Sequence, residues 1–250
     1  MITVVYPYMH QLSNGDQSNN GMCELRWSLR SLCKHARFDF NVVVVGDKPG
    51  WYNGDHISTE KIRGLRFSKA FDIANKLKVI VGSQNITDDF VYMYDDIYLV
   101  NDCELDDFNK IIALGPANRN SSMKDGSGVY KEIFRYTVKA MGLDNFYVYE
   151  THLPRVLNKQ KLKLVLESYR LDIHPLLFSS IYFNEFYERP DEILNEDNKL
   201  KAGVYRKISF DSICKEVEGK LWLNHSENAF GEGMKKFLEY RFGDNCKYEG

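Results

Sequence analysis

The chain has 250 residues, 44% of them hydrophobic and 14% aromatic, a composition that supports one packed α/β domain and excludes an intrinsically disordered chain. Its 33 basic and 35 acidic residues leave a net charge of −2, which gives no electrostatic reason to expect a polyanionic partner. No run approaches the roughly 20 apolar residues that span a bilayer. The five cysteines lack Cys-x-x-Cys spacing, so we expect free thiols in a cytoplasmic protein.

The first part of the chain has the pattern of a strand, a helix and a second strand. Residues 2–6 form a β-branched run without the features of a signal peptide. We expect this strand to stop or to leave the sheet at Pro7, because a proline cannot donate to a central ladder. Leucines at helical spacing predict an amphipathic helix over 22–36. The valine-rich run 41–45 is typical of a strand buried on both faces of a parallel sheet. Together they predict the βαβ unit of a nucleotide-binding α/β fold.

Helical and strand patterns continue to alternate along the rest of the chain. Apolar periodicity predicts helices over 67–82, 129–141, 158–170 and about 226–242, and apolar strands over 90–93 and 97–100. Polar and glycine-rich stretches predict loops over 10–21 and 116–128, and a turn within 185–203. No internal repeat or linker is present, so we expect one domain with a helical C-terminal portion.

Two adjacent aspartates, Asp95 and Asp96, follow a hydrophobic strand and precede another. Carboxylates at the carboxyl edge of a parallel sheet lie where ligands bind in such folds, and one or two carboxylates with substrate phosphates commonly hold Mg²⁺ or Mn²⁺. The alternative is a solvated acidic turn, because aspartate pairs are common on loops. The apolar strands on both sides favour the metal site.

His152 and Glu150 lie close together in a second polar segment, after an aromatic strand-like run. His152 is a candidate third metal ligand or phosphate contact, and its alternative is a hydrogen-bonded structural histidine. Glu150 is a candidate catalytic base or a loop-ordering residue, since a base needs only reach and a tuned pKa.

Basic residues on the first two predicted helices are candidate phosphate contacts. Arg26 and Arg30 lie four residues apart on one helix, and Lys69 begins the next. A lysine near a helix N-terminus can pair with phosphate, but exposed, solvated cations are the common alternative for all three.

Several segments taken together resemble small bacterial and phage glycosyltransferases, which are distantly similar to the Stealth family of capsule sugar-phosphate transferases. The segments are ELRWSLRSL, VVVVGDKPGW, DDFVYMYDDIYLV and YETHLPRVLNK, followed by a tail at Cys246, Lys247, Tyr248 and Glu249. The matches are short, but they spread from residue 4 to residue 249 in the family's order. One departure is Tyr94, where the family often has Asn before the two aspartates.

The resemblance implies a Rossmann-like, A-type glycosyltransferase fold with a mostly parallel central sheet, a nucleotide-sugar donor and a divalent metal, Mn²⁺ or Mg²⁺. It matches Asp95 and Asp96 to the metal-binding acidic pair and His152 to a His-x-Pro position, so we expect these three residues to bind the metal. We expect Asp96 and Glu150 to act in catalysis, Glu150 as the candidate base of an inverting reaction. The expected donor contacts are Tyr6, Arg26, Arg30, Asp47, Lys69 and Asp95, with Glu24 matching the same helical motif. Residues 1–115 would form the nucleotide-sugar half of the domain, and 116–250 the acceptor half.

The expected reaction is transfer of a hexose from a nucleoside-diphosphate sugar, a UDP-sugar above all, to a hydroxyl of a glycan or a modified nucleobase. One alternative is a Stealth-like sugar-1-phosphate transferase, and another is a non-catalytic nucleotide- or glycan-binding module. Near-neutral charge argues mildly against a DNA acceptor, because duplex binding needs a basic face.

Overall fold

The computed structural model describes residues 1–10, 22–117, 128–142, 146–194 and 200–250. The loops predicted over 10–21 and 116–128 lie almost entirely outside the described residues. The described residues form two compact units: unit 1 comprises those within Met1–Ser58, Val91–Phe108 and Asp197–Gly250, and unit 2 those within Thr59–Phe90 and Asn109–Glu196. The single-domain organisation stays a prediction.

Short strands and helices alternate along the described part of the chain. The strands are β1 (Ile2–Tyr8), β2 (Phe40–Gly46), β3 (Asp55–Ile57), β4 (Asp89–Tyr92), β5 (Ile97–Leu99), β6 (Ile112–Ala113), β7 (Gly115–Pro116), β8 (Tyr147–Val148), β9 (Arg155–Asn158), β10 (Glu192–Ile193), β11 (Lys201–Val204) and β12 (Trp222–His225). The helices are α1 (Glu24–His35), α2 (Ser68–Gly82), α3 (Leu105–Asn109), α4 (Val129–Met141), α5 (Lys159–Ser168), α6 (Phe178–Phe186), α7 (Phe210–Glu216) and α8 (Glu232–Phe242).

Unit 1 is built on a sheet with strand order β3-β2-β1-β4. Strand β1 pairs in parallel with β2, and β2 pairs in parallel with β3. The valines of β2 are buried on both faces, as the continuous apolar run predicts. With α1 between β1 and β2 in the chain, this is the predicted βαβ unit, and it confirms a parallel-rich α/β fold.

Strand β1 does not stop at Pro7 as predicted; it continues to Tyr8, and Pro7 is in register with Val45. The even-numbered residues of β1 face β2, because Ile2 N–H donates to Asp39 O and Tyr8 O accepts from Asp47 N–H. Odd-numbered residues face β4, where Val5 O accepts from Met93 N–H at 2.9 Å. The nitrogen of Pro7 therefore faces beyond the last residue of β4, where no ladder donor is needed.

A second sheet in unit 1 joins β11, β12 and β5, with β11 parallel to β12 and β12 antiparallel to β5. Helices α7 and α8 pack on it around a core that includes Tyr98, Leu223, Met234 and Phe237. The helix predicted over about 226–242 is divided, because a 3₁₀ turn at Glu227–Ala229 precedes α8. No pattern along the chain predicts β11 or β12.

Unit 2 contains the predicted helices α2, α4 and α5, together with α6. Helix α5 begins at an N-cap, where the Asn158 side chain accepts from the N–H groups of Gln160 and Lys161. The same side chain donates to Asp89 at 2.8 Å, at the start of β4, next to which β9 lies. Helix α4 buries Ile133, Phe134 and Thr137 and exposes its opposite face, which is the amphipathic pattern that the sequence predicts.

Candidate functional site

The two predicted metal-binding aspartates lie in unit 1, in the turn between β4 and β5. Both Asp95 and Asp96 are partly exposed, and buried strand residues flank the turn. Ile97 N–H donates to Tyr94 O at 3.4 Å and closes the turn. The sequence therefore places two carboxylates side by side on a short, well-anchored connection at the end of a core strand.

Helix α1 holds this acidic turn in place through Ser28. The Ser28 hydroxyl donates to the carbonyl oxygen of Ile97 at 2.5 Å, and it lies 3.0 Å from the Tyr6 hydroxyl. Burial, the largest effect, raises the pKa of Tyr6, so the phenol stays neutral. Tyr6 is fully buried and is linked to the acidic turn through Ser28. Its contact with the donor stays a prediction.

A buried network that the sequence analysis missed adjoins the acidic turn. His225 Nε2 lies 2.9 Å from the Tyr98 hydroxyl and 3.4 Å from Glu24 Oε1. Burial raises the pKa of Tyr98 most, and the negative charges of Glu24, Asp96 and Asp95 raise it further. Three carboxylates thus act on one hydroxyl. No pattern in the sequence indicates His225. It lies about 200 residues after Glu24, and the spacing between the two residues matches no known motif.

Asp47 lies where strands β1 and β2 end. Its carboxylate accepts a hydrogen bond from the His10 N–H at 2.8 Å, and its own N–H donates to Tyr8 O. It is partly exposed. The carboxyl ends of parallel strands are where nucleotides bind in α/β sheets. The contact of Asp47 with the nucleoside stays a prediction.

The two predicted phosphate-binding arginines of α1 are engaged elsewhere in unit 1. Arg30 is buried, and it donates to Phe242 O, Gly243 O, Asn245 Oδ1 and both oxygens of Glu249. Arg26 also pairs with Glu249. All three nitrogens of Arg30 are used in this way, so Arg30 anchors the segment 242–249. The phosphate contacts of Arg26 and Arg30 stay predictions.

The carboxylate of Glu249 is the centre of this anchor. Burial would raise the pKa of Glu249, but hydrogen bonds from Arg30, from the Cys246 N–H and from Arg26 outweigh it and lower the pKa to about 2. A carboxylate paired with two guanidinium groups stays ionised throughout the physiological range.

In unit 2, Glu150 follows a buried aromatic segment, and its side chain contacts the first turn of α6. One of its carboxylate oxygens accepts from the N–H and from the hydroxyl of Ser180, at 3.1 and 3.2 Å. Burial raises the pKa of Glu150, and the nearby charge of Arg155 and the Ser180 hydrogen bonds oppose that rise. A partly exposed carboxyl with a raised pKa fits a proton acceptor.

His152 has a left-handed backbone with φ of 51°, which is uncommon for a residue other than glycine and costs free energy unless its surroundings hold it. Arg155 supplies that support, because its buried guanidinium donates to Tyr149 O at 2.8 Å and to Thr151 Oγ1 at 3.2 Å. Arg155 was not predicted as a site residue. A charged residue directly before the apolar pair Val156 and Leu157 of a strand is the signal that could have identified it.

Lys69 is exposed in the first turn of α2, and its phosphate contact stays a prediction. The metal site formed by Asp95, Asp96 and His152 also stays a prediction. Asp95 and Asp96 belong to unit 1, and His152 belongs to unit 2. Within the part of the chain that the structure describes, no three His, Cys, Asp or Glu side chains form a group able to hold a metal ion alone. Two carboxylates that share Mg²⁺ or Mn²⁺ with substrate phosphates need no third protein ligand.

No helix among the described residues is both long and apolar enough to cross a membrane. No protein-family model and no curated protein sequence matches the chain.

Comparison with solved structures returns glycosyltransferases. An active-site mutant of LgtC aligns over 98% of both chains with 10% identity and a TM-score of 0.46. GlyE of Streptococcus pneumoniae TIGR4 aligns over 97% of this chain and 61% of its own, with 14% identity and a TM-score of 0.39. The bifunctional glycosyltransferase WbbM aligns over 98% of this chain, with 12% identity and a TM-score of 0.51.

The chain spans 50% of the length of WbbM. At 12% identity, a TM-score above 0.5 is evidence of a shared fold and not of a shared activity. The chain therefore has an α/β fold similar to that of a solved glycosyltransferase.

Proposed function

We propose that the protein is a metal-dependent glycosyltransferase that moves a hexose from a nucleoside-diphosphate sugar to a hydroxyl acceptor. The observation that carries the proposal is the partly exposed Asp95–Asp96 turn, held by Ser28 at the end of a core strand, in a chain with a glycosyltransferase-like fold. A solvated acidic turn would not require a buried serine to fix its backbone.

The donor set of this turn fits a hard divalent cation. Aspartate oxygens are ligands that Mg²⁺ and Mn²⁺ prefer, and Glu24 adds negative charge that also acts on Tyr98. When bound, the cation would neutralise charge on the leaving nucleoside diphosphate. Asp95 and Asp96 would hold it, and Asp47, at the ends of β1 and β2, would contact the nucleoside.

Glu150 is the proposed base of the reaction. The acceptor hydroxyl would form a bond to the anomeric carbon, the bond from that carbon to the diphosphate oxygen would break, and the hydroxyl proton would pass to Glu150. This assignment corresponds to inverting chemistry, for which the raised pKa of Glu150 is suited. His152 and Lys69 remain proposed contacts for the metal or the phosphates.

The test measures turnover of the donor in the presence and absence of divalent cations. UDP-hexoses are incubated with the full chain and a mixed glycan acceptor, with Mn²⁺, with Mg²⁺ or with chelator, and released nucleotide is quantified. Asp95→Asn and Asp96→Asn should each lower turnover at least about 100-fold. Asp106→Asn, an exposed aspartate on α3, is the matched control and should retain it.

Two results would overturn the proposal. The first is full activity of both aspartate variants in chelator, and the second is the absence of turnover with every nucleotide sugar. The product also separates a Stealth-like reaction from glycosyl transfer, because a sugar-phosphate transferase leaves phosphate on the acceptor and releases a nucleoside monophosphate.

A further inference from the structure

Unit 2 contains a cleft that none of the predicted site residues lines. It has a volume of about 900 Å³, which is within the range typical of ligand clefts. The cleft lies among α2, α4, the segment after α5 and α6, and its described lining includes Phe67, Tyr136, Lys139, Tyr169, His174 and Glu185.

Aromatic rings form one side of the cleft. The Phe67 and Tyr136 rings meet edge to face with centroids 6.0 Å apart, and Tyr136 keeps 45% of its surface exposed. A solvent-exposed tyrosine braced by a second ring presents a rigid, amphipathic surface. The C–H face of a pyranose ring packs on such a surface, whereas a flexible aliphatic patch gives no comparable flat contact.

Polar groups of both kinds also line the cleft. Glu185 accepts from the Tyr169 hydroxyl, and exposed His174 and Lys139 are nearby on the lining. Donors and acceptors together match sugar hydroxyls, each of which can donate and accept. The formal charges balance, Lys139 against Glu185, so the lining favours a neutral ligand over a phosphate or a cation.

The walls are fixed before any ligand arrives. Leu177 N–H donates to Thr137 Oγ1 at 2.9 Å and ties the segment after α5 to α4. Arg170 has a left-handed backbone with φ of 48°, and its carbonyl accepts from Ile173 and His174. This turn sets His174 at the cleft edge, and a preorganised site binds more tightly because less ordering is required.

We propose that this cleft binds a neutral saccharide of a few hexose units. The inference deepens the proposed function, because it names the class of the acceptor. Only the role of the cleft in catalysis rests on the proposed function. Binding itself is independent of turnover and can be tested without it.

The test uses the labelled full chain on an array of neutral and anionic oligosaccharides, followed by calorimetry with the neutral tetrasaccharide that gives the strongest signal. Tyr136→Ala and Glu185→Gln should each weaken binding about tenfold. Tyr240→Ala, which removes an exposed tyrosine of unit 1 outside the cleft, should leave the affinity unchanged. Tyr136 is exposed, so its truncation should not unfold the chain.

Absence of binding to any neutral saccharide, binding to phosphorylated glycans alone, or unchanged affinity of Tyr136→Ala would each overturn the proposal. If no nucleotide sugar is turned over, the proposed transferase function fails while the array still decides on the cleft. If turnover is found, Tyr136→Ala should raise KM for the saccharide acceptor, and Tyr240→Ala should leave that KM unchanged.

Discussion

At the scale of single residues, Arg30 and Glu249 form the most heavily connected ion pair described in unit 1. Their side chains are only 5% and 2% exposed. Removing one partner from a buried pair leaves the other charge desolvated without compensation. Arg30→Ala should therefore lower the free energy of unfolding by about 3–5 kcal/mol, measured by urea denaturation.

Arg37→Ala is the matched control for that experiment. Arg37 pairs with Asp102 at 2.6 Å, but both side chains are largely exposed. Surface pairs contribute about 0–1 kcal/mol, so this variant should unfold close to the wild type. Equal losses from the two arginine variants would contradict the structural role given to Arg30.

Glu249 also makes stability depend on pH. Its pKa falls from 4.5 to about 2 on folding, so the native state binds fewer protons than the unfolded state between those values. The stabilisation is complete above about pH 4.5 and is lost as the pH falls toward 2. Glu249→Gln should flatten the fall in melting temperature across this window. An unchanged slope would show that other carboxyl groups dominate acid unfolding.

Ser28 is expected to act on the metal through the acidic turn. Ser28→Ala removes the bond to Ile97 O and should raise the Mn²⁺ concentration for half-maximal turnover about tenfold, because outer ligands orient inner ones. Ser31→Ala is matched to it, since Ser31 lies on the same helix but bonds Leu99 N–H. That variant should lower stability and leave the Mn²⁺ requirement unchanged. If the two serine variants require the same Mn²⁺ concentration, the role of Ser28 is purely structural.

At the scale of elements, two helical glycines allow a comparison between a tightly packed position and an open one. A Cβ on Gly233, in α8, would collide with the carbonyl oxygen of Ile208, whereas one on Gly82, at the end of α2, would meet open space. Gly233→Ala should cost about 1–3 kcal/mol through forced backbone shifts. Gly82→Ala should be neutral or stabilising by up to about 1 kcal/mol, because it reduces unfolded-state entropy. Thermal denaturation of both variants tests the packing of α8.

Patterns in the sequence predicted those helices and strands that are marked by their own residues, through helical periodicity or a continuous apolar run. Helices α1, α2 and α4 and strand β2 follow from periodicity and apolar runs, and α4 has the predicted bounds. Strands β11 and β12 were missed, because each has four residues and is defined by a partner distant in sequence. The error at Pro7 has the same origin, since the tolerance of a proline depends on which neighbour its nitrogen faces.

The same limit applies to the candidate site, where residues adjacent in sequence were predicted and partners distant in sequence were not. Asp95 and Asp96 are adjacent in sequence, so one pattern located both. The partners that define Glu24, Glu150 and Arg30 lie 201, 30 and 219 residues away, and no pattern along the chain contains them. Patterns in the sequence therefore indicate candidate chemistry, but they do not show that Arg30 pairs with Glu249.

At the scale of the whole molecule, the two units are each assembled from separate segments of the chain, and the functional division at residue 115 stays a prediction. The chain leaves unit 1 after Ser58, returns for Val91–Phe108, and returns again at Asp197. Unit 1 is thus assembled from three separate segments, and its contacts join residues far apart in sequence, such as Arg30 and Glu249. Contacts of this kind slow folding, because loop closure precedes their gain.

This arrangement has a consequence for the order of events on the ribosome. The Arg30–Glu249 anchor and the β12 edge of the second sheet need residues that are synthesised only after all of unit 2. Until those residues emerge from the exit tunnel, the buried guanidinium of Arg30 and the apolar surface of β5 lack their partners. The nascent chain should therefore pass through a stage at which unit 1 depends on chaperones that shield exposed apolar surface.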